Sequence, residues 1–416
     1  MKRIVFLMCT LAALAGCGGS NSSSSGNDGS PTTVTYTFTS SAYQAAPVAV
    51  ATQIGTGAYA LATLASGKLT ITIPHGETNY SVAWICAPTG GNYSETNEYI
   101  YQASIADGTS FSRYCFEPSS APQTGLATVQ VNAAAITGGE WVEVGDELLP
   151  WSTGTLDFNA TTAVGTQDVP VGVYTGTESY NNYLAIRILR AQTIPGALNG
   201  GAPVVFGTGD EVAPQTITYN DVPNGFSAFS PLVFYQTAGG ASILLNLSGP
   251  SGQYLAMPPG AVQTGDYYEI STGAQSAAGG ESVGVEKLTS TGGPQSFTFS
   301  APWSYAGPAA AALPTFDFVY SGFSGLSDVS DYISIDWAQS ATSTYFIQMT
   351  ATANYLNGST SVTIPDLSSL TGFLAPAASG TAINWSAQIN QGDPYLTNPP
   401  SGAIQGVGNS GTYTEP

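Results

Sequence analysis

The sequence predicts an all-β protein made of tandem antiparallel β-sandwich domains that follow a flexible tether. Apolar and polar residues alternate with a period of two in many short segments, which is the pattern of half-buried strands. The 49 glycines and 26 prolines are spread along the 416 residues and separate these segments. No amphipathic helix of three or more turns is indicated, and short helical turns are expected only at 309–313 and 366–373.

The alternation is clearest in the segment that contains Leu69, Ile71 and Ile73, where threonines fill the intervening positions. Because successive side chains of a strand point to opposite faces, one face of this segment is apolar and the other carries hydroxyls. The same pattern occurs in five further segments: 34–38, 80–86, 316–320, 333–337 and 345–353.

Two dipeptides between alternating segments predict tight hairpins, Asp107-Gly108 and Asn357-Gly358. Both residue pairs tolerate the positive φ angles of a primed turn, which is the turn that joins two antiparallel strands most closely.

The length allows two to four domains. We predict three β-sandwich domains, Ig-like or transthyretin-like, at 31–144, 145–224 and 225–416. The last of them ends, from residue 391, in a stretch rich in Gly, Pro and Asn that is expected to be a flexible tail.

A D-V-P-x-G motif occurs twice, at 168–172 and at 221–225. It resembles the strand-turn-strand segment of transthyretin-like, carboxypeptidase-regulatory-like sandwiches in bacterial surface proteins. The resemblance covers five residues at each place, and two unrelated β-turns would give the same pattern.

The first 16 residues have the features of a signal peptide. A basic head at 2–3 precedes an apolar stretch at 4–15 that is too short to span a bilayer as a mature helix. The stretch runs into Leu14-Ala15-Gly16-Cys17, which resembles the lipobox of bacterial lipoproteins. This resemblance implies that Cys17 carries a thioether-linked diacylglycerol and becomes the first mature residue.

An ordinary secretory leader is the alternative, because 13–15 also fits a small-x-small cleavage site and would release a soluble protein. Residues 17–30 favour the anchor, since after Cys17 they form a polar Gly/Ser tether with a root-mean-square span of about 20 Å. Two or more acyl chains hold a protein stably on a membrane. Gly18 follows the cysteine where Asp would favour inner-membrane retention, so we expect a cell-envelope protein of the outer membrane.

Two cysteines remain in the body of the chain, Cys86 and Cys115. In an oxidising compartment we expect them to form a disulfide, which stabilises by about 3–4 kcal/mol in the chain-entropy model. A two-thiol metal site is the alternative, but a closed zinc site requires four Cys or His ligands and the chain has one histidine, His75.

Charge is scarce and mostly negative, because only 8% of residues are charged, with 27 acids against seven bases. Beyond the leader the bases are Lys68, Arg113, Arg187, Arg190 and Lys287. Binding to a phosphate backbone or to anionic lipid through surface charge requires clustered Lys and Arg. Nucleic acid is therefore excluded as a partner, whereas cations, neutral glycans and basic proteins remain candidates.

The sequence lacks the patterns of nucleophilic and phosphate chemistry. A Ser-His-acid hydrolase needs an imidazole base, and His75 precedes Gly76 and is predicted to be a turn residue. Residues 280–284 match G-x-S-x-G around Ser282, but no histidine follows, so we predict a loop. Phosphate-binding loops are absent. We assign no catalytic, cofactor-binding or metal-binding residue.

Carboxylates are the remaining candidates for chemistry. Two acids on facing strands make a glycosidase site, and clustered loop oxygens would hold Ca²⁺. The dense groups are Glu140, Glu143, Asp146 and Glu147, and Asp328, Asp331 and Asp336. Neither group matches an EF-hand loop, and solvated loop acids are the commoner explanation.

Aromatic residues suggest a binding role, because exposed rings stack on sugars or form protein interfaces. The dense groups are Tyr93, Tyr99 and Tyr101, and Tyr174, Tyr180 and Tyr183. The alternative, which we expect for most of them, is that they form cross-strand pairs and core edges.

These observations predict a non-enzymatic, lipid-anchored envelope protein that acts as a binding, adhesion or structural module, with a glycan or a protein as its ligand. The alternative is a surface carbohydrate-binding or carbohydrate-active, glycosidase-like lipoprotein that uses carboxylates and aromatics. A cleft with two carboxylates about 5–10 Å apart would distinguish the enzyme.

Overall fold

The structure is a computed structural model that describes residues 30–38, 44–87, 94–116, 124–145, 147–151, 154–176, 182–246, 252–322, 329–392 and 402–416. The described chain is almost entirely β, which confirms the predicted fold class. Cys17, the leader and the tether lie outside the described residues.

The strands follow in chain order. They are β1 (Thr32–Phe38), β2 (Gln44–Ala45), β3 (Ala49–Ile54), β4 (Ala60–Ala62), β5 (Lys68–Ile73), β6 (Asn79–Ile85), β7 (Ser94–Ser104), β8 (Ser110–Arg113), β9 (Cys115–Phe116), β10 (Thr124–Asn132), β11 (Trp141–Val144), β12 (Glu147–Pro150), β13 (Thr155–Ala163), β14 (Gly165–Tyr174), β15 (Tyr183–Ile194), β16 (Gly196–Ala197), β17 (Val204–Val205), β18 (Ala213–Asn220), β19 (Phe226–Ala228), β20 (Leu232–Gln236), β21 (Ser242–Leu244), β22 (Gln253–Ala256), β23 (Tyr267–Ser276), β24 (Glu281–Thr289), β25 (Gln295–Thr298), β26 (Thr315–Asp317), β27 (Val329–Ser340), β28 (Ser343–Thr352), β29 (Ser361–Thr363), β30 (Ala382–Gln391) and β31 (Gly402–Thr414).

The described chain contains only short helices. The α-helix α1 (Ala353–Leu356) has four residues, and single 3-10 turns lie at Ile105–Asp107, Leu198–Gly201, Thr208–Asp210 and Pro259–Ala261. Within the described ranges, no helix combines the length and the apolar character needed to cross a bilayer.

Thirteen strands form one sheet, which we call the main sheet. Its order is β21-β20-β23-β24-β31-β30-β27-β28-β7-β6-β3-β4, and β19 also pairs with β23. All pairings in it are antiparallel except that of β7 with β28, which is parallel. The main sheet thus joins strands from the predicted 31–144 and 225–416 segments, and the division into three domains stays a prediction.

The inner face of the main sheet carries the largest core. Ile333, Ile335 and Trp337 alternate along β27 and are almost fully buried. They pack with Ile383, Trp385 and other apolar side chains of the neighbouring strands. The segments 303–320 and 361–377, which contain the short strands β26 and β29, cover them.

Smaller sheets complete the packing. The sheet β5-β1-β8 lies on the outer side of β3, β6 and β7, and the two enclose a core that includes Tyr36, Trp84 and Phe111. The sheets β12-β11-β14-β15 and β13-β10-β16 face each other around a second core at 127–206. These face-to-face pairs have the sandwich architecture.

The contact between the second core and the main sheet contains an ion cluster. Arg190, on β15, donates to Asp168 at 2.8 Å and to Asp266 at 2.6 Å, and the two carboxylates are 5% and 0% exposed. Asp266, just before β23, also accepts from Tyr235 Oη and from the backbone N–H of Ala238.

The hairpin predicted at Asp107-Gly108 is wrong. The chain makes a 3-10 turn at Ile105–Asp107, capped by Ser104, and then leaves the main sheet. The next strand, β8, pairs in parallel with β1 instead of turning back on β7. A buried partner in another sheet therefore outweighs the local turn preference.

At Asn357-Gly358 the predicted primed turn is present, but the predicted hairpin is not. Both residues have positive φ, and the N–H of Ser359 donates to the carbonyl of Leu356, as in a primed turn. The strand that follows, β29, pairs with β26 and not with β28.

The structure also differs from the predicted helical turns and from the predicted flexible tail. Residues 309–313 and 366–373 contain bends and turns without a helix. Residues 402–414 of the expected tail form β31, between β24 and β30, and 393–401 lie outside the described residues. Of the two D-V-P-x-G motifs, 168–172 lies within β14 and 221–225 forms a turn between β18 and β19.

Candidate functional site

The predicted disulfide is confirmed. Cys86 follows β6 and Cys115 lies in β9, and their Cα atoms are 5.4 Å apart across the bond. Both residues are buried in the core below β1 and β5. The bond excludes thiol chemistry and a two-thiol metal site at these cysteines.

His75 and Ser282 do not meet. His75 is an exposed turn residue, as predicted, in a turn closed by the N–H of Glu77 and the carbonyl of Pro74. Ser282 lies on β24, paired with Gln275 and Gly408, so the predicted loop at 280–284 is wrong. A regular strand also lacks the sharp turn that exposes a hydrolase nucleophile.

The first acidic group is used in local contacts. Glu143 on β11 accepts hydrogen bonds from the hydroxyls of Tyr174 and Tyr183. The carboxylate of Glu140 accepts from the backbone N–H of Gly176 at 2.8 Å. Glu147 begins β12, and Asp146 lies outside the described residues.

The second acidic group is divided between two faces. Asp331 and Asp336 lie on β27 an odd number of residues apart, so their side chains point to opposite faces of the main sheet. Asp331 is 4% exposed on the inner face. Asp336 lies on the outer face and accepts from Asn384 at 2.8 Å. Asp328 lies outside the described residues.

Over the described part of the chain, no three His, Cys, Asp or Glu side chains come together as a metal ligand set.

A buried carboxyl that sequence analysis missed lies at the inner face. Glu98 on β7 is 1% exposed, and its Oε2 accepts the backbone N–H of Leu374 at 3.0 Å. Burial raises the pKa of Glu98 from 4.5 to about 7, against the smaller lowering effect of the hydrogen bond from Leu374, and Asp366 adds to the rise. Burial likewise raises the pKa of Asp331 to about 7.

Glu98 and Asp331 are too far apart to act as a glycosidase pair. Glu98 lies opposite Ile347, and Ile347 lies opposite Ile335, two strands away. Asp331 is four residues further along that strand. Strand spacing and rise give roughly 16 Å between the two Cα atoms, whereas glycosidase carboxyls are about 5–10 Å apart.

Most of the candidate tyrosines lie in packing contacts. Tyr99 stacks on Trp84 with ring centroids 5.2 Å apart, and Tyr101 lies against Phe111. Tyr174 and Tyr183 are buried against each other. These are the cross-strand and core positions that the alternative predicted. Tyr93 and Tyr180 lie outside the described residues.

An open polar surface lies on the outer side of the main sheet. Opposite the buried face of β24, β31, β30 and β27, the outward positions carry hydroxyl, amide and glycine residues in register. We call this surface the open face. Its residues are Ser282, Gly284, Glu286, Gly406, Gly408, Ser410, Thr412, Asn384, Ser386, Gln388, Asn390, Ser330, Tyr332, Ser334 and Asp336. Asn384, Gln388, Ser410 and Thr412 are exposed, Asn390, Gly406 and Gly408 are buried, and the rest are half-buried.

Only two members of the open face carry a charge, Glu286 and Asp336. Asp336 belongs to a hydrogen-bonded row across three strands, in which Asn384 donates to Asp336 and Thr412 donates to Asn384 at 3.0 Å. Solvation of one face is usual in antiparallel sheets, but here the polar groups are nearly all neutral. Neutral amides and hydroxyls match the hydrogen-bonding groups of an uncharged ligand.

At Gly284, no side chain covers the open face. Gly273, Gly284 and Gly406 pair side by side across three strands. The space above Gly273 is taken by the ring of Phe229, and the space above Gly406 by the amides of Gln388 and Asn390. A Cβ at Gly284 would meet only a backbone oxygen at 3.7 Å. A small slot therefore separates an aromatic ring from a pair of amides. Glycine in a strand commonly marks such a close approach.

Comparison with protein-family models gives no match to this chain, and no curated protein matches its sequence.

Proposed function

We propose that the chain is a lipid-anchored envelope protein whose β body has a non-enzymatic binding, adhesion or structural role. The observation that carries the proposal is the open face, a broad and nearly uncharged surface on a sheet whose other face is the core. A surface of this kind suits recognition through many weak polar contacts. Among the described carboxylates considered for catalysis, Asp331 and Asp336 point to opposite faces and Glu140 and Glu143 lie in local contacts, which favours binding over hydrolysis.

The sequence and the disulfide support the proposed location. Disulfides persist in oxidising compartments outside the cytosol, and the Cys86–Cys115 bond is consistent with export. The Leu14-Ala15-Gly16-Cys17 sequence supplies the proposed acylation site.

The anchor is tested by fractionating cells that express Cys17→Ala. We expect this variant to move from the membrane to the soluble fraction, while the matched control Cys9→Ala, altered within the leader, stays with the membrane. Mass spectrometry of the mature N-terminus should find acyl chains on Cys17. An unmodified N-terminus, or membrane retention of Cys17→Ala, would overturn the anchor.

A second candidate function is binding of a neutral glycan, and the slot over Gly284 favours it. A ring such as Phe229 packs against the apolar face of a sugar, while the Gln388 and Asn390 amides, joined at 2.6 Å, offer donors and acceptors to its hydroxyls.

A glycan array with purified 31–416 tests this candidate. Gly284→Leu fills the slot and should abolish binding, and Phe229→Ala should weaken it. Gly209→Leu is the control, because a Cβ at Gly209 meets nothing within 4 Å and Gly209 lies outside the open face. Equal binding by Gly284→Leu and the wild type would remove the glycan candidate and leave the anchor untouched.

A further inference from the structure

The segment 364–377, which we call the strap, covers one end of the inner face without belonging to any sheet. All of its residues are described, and none of them lies in a strand. Its backbone hydrogen bonds include two short internal turns, from Leu370 to Leu367 and from Phe373 to Leu370. Because the strap has no strand partner, it can open locally without breaking the pairing of the strands beneath it.

Apolar contacts hold the strap against the sheet. Leu367, Phe373 and Leu374 are buried in the main core, at 2%, 9% and 8% exposure. At Gly372 the backbone approaches β3 so closely that an added Cβ would lie 3.1 Å from the Cβ of Ala49. The strap therefore seals an apolar part of the sheet that would face solvent if it opened.

A carboxyl group lies in the middle of this contact. Glu98 accepts the N–H of Leu374, so it joins the strap to β7 through one hydrogen bond. On either side of Glu98 the paired residues of the sheet are Ile85 and Ile347, both buried and apolar. The ionised carboxylate is therefore held in a poorly solvated place, where charge is costly.

The ionisable groups that act on this site are few. From the strap, Asp366 places a second negative charge near Glu98. From the segment before β4, the phenol of Tyr59 is close enough to interact with Glu98 and hydrogen-bonds to Ser81 at 2.5 Å. Burial raises the pKa of Tyr59 well above 10, so it stays neutral near pH 7. The N–H of Leu374 favours the ionised form of Glu98, but burial disfavours that form by more, and Asp366 adds to the effect of burial. Tyr59 adds no charge.

We propose that the strap is a pH-gated cover, closed while Glu98 is protonated and released as Glu98 ionises, so that an apolar part of the main sheet is uncovered. Opening gives the carboxylate access to water and removes its proximity to Asp366. Nothing in this gate depends on the lipid anchor or on the glycan candidate.

The size of the effect follows from linkage. The pKa of Glu98 is about 7 with the strap closed and its ordinary value is 4.5. The opening equilibrium then rises about tenfold between pH 6 and pH 8 and becomes nearly constant above that range.

Hydrogen exchange measured by mass spectrometry at pH 6 and pH 8, corrected for the intrinsic rate, tests the gate on a peptide that spans the strap. The wild type should show about tenfold more opening at pH 8. Glu98→Gln keeps an acceptor for Leu374 and should show equal opening at both pH values. Asp331→Asn is the matched control, because it removes the other buried carboxyl of this face but leaves Glu98, and its strap should respond as in the wild type.

Peptides from β30 and β31 report global unfolding and separate it from local release of the strap. Equal protection of the wild-type strap at both pH values would overturn the proposal, as would a wild-type response in Glu98→Gln. If Glu98→Gln does not fold, a pH series on the wild type decides, because opening must rise through pH 7 and level off near pH 8. A flat series contradicts the gate.

Discussion

Arg190 and Asp266 form an ion pair at 2.6 Å that joins the sheet containing β15 to the turn before β23. The carboxylate of Asp266 is fully buried, and the same guanidinium also holds Asp168. One cation thus compensates two buried acids at the contact between two parts of the β body.

Replacing Arg190 with Met should destabilise the protein by about 3–5 kcal/mol, because two buried carboxylates lose their partner. Urea unfolding measures the change. Arg187→Met is the control, because its side chain is 42% exposed in its pair with Asp210 and an exposed pair contributes at most about 1 kcal/mol. Similar losses in the two variants would contradict a special role for Arg190.

Low pH should weaken the ion cluster of Arg190 with Asp168 and Asp266. Burial raises the pKa of Asp266, but hydrogen bonds from Arg190, Tyr235 and backbone N–H groups outweigh it and hold the pKa below 3.8. The pKa of Asp168 is lowered in the same way. Stability from both groups is present above pH 4 and is lost as pH falls below it. Melting temperatures between pH 5 and pH 2 should show this loss, and Arg190→Met should not show it.

Removing the disulfide should lower stability by about 3–4 kcal/mol, since the unfolded chain regains the entropy of an open loop. Cys86→Ser combined with Cys115→Ser tests this by denaturant unfolding. The wild type treated with a reductant should match the double variant. A double variant as stable as the oxidised wild type would argue against the expected contribution.

Asp331→Asn should stabilise the protein at alkaline pH. Burial raises the pKa of Asp331 from 3.8 to about 7, so the folded state favours the protonated form and wild-type stability falls as pH rises through that interval. The gain at pH 8 is at most about 4 kcal/mol and should shrink to below about 1 kcal/mol at pH 4. A constant difference between the two proteins at both pH values would refute this interpretation.

The sequence predicts strands well and their partners poorly. Leu69, Ile71 and Ile73 alternate with threonines and form β5 with the expected buried face. Asp107-Gly108 favours a turn, but which strand β8 joins is decided by distant residues of β1. A five-residue motif or a dipeptide carries no information about such a partner.

The candidate site was harder to predict for the same reason. The face of β7 that carries Glu98 also carries Ile100 and Gln102. Because this face mixes polar and apolar residues, the alternation pattern does not identify it as buried. Its environment is made by Leu374 and by strands on both sides. The open face likewise depends on the register of four strands, of which β31 lies in a stretch whose composition suggested a flexible tail.

The parallel pairing of β7 with β28 has a consequence for how the chain reaches its native state. β7 is synthesised early, but its parallel partner β28 is synthesised only after most of the chain. Until then β7 exposes backbone donors and acceptors that other chains can pair with. Such high contact order makes folding slow and aggregation a hazard. The protein should therefore depend on assistance during biogenesis more than its thermodynamic stability suggests.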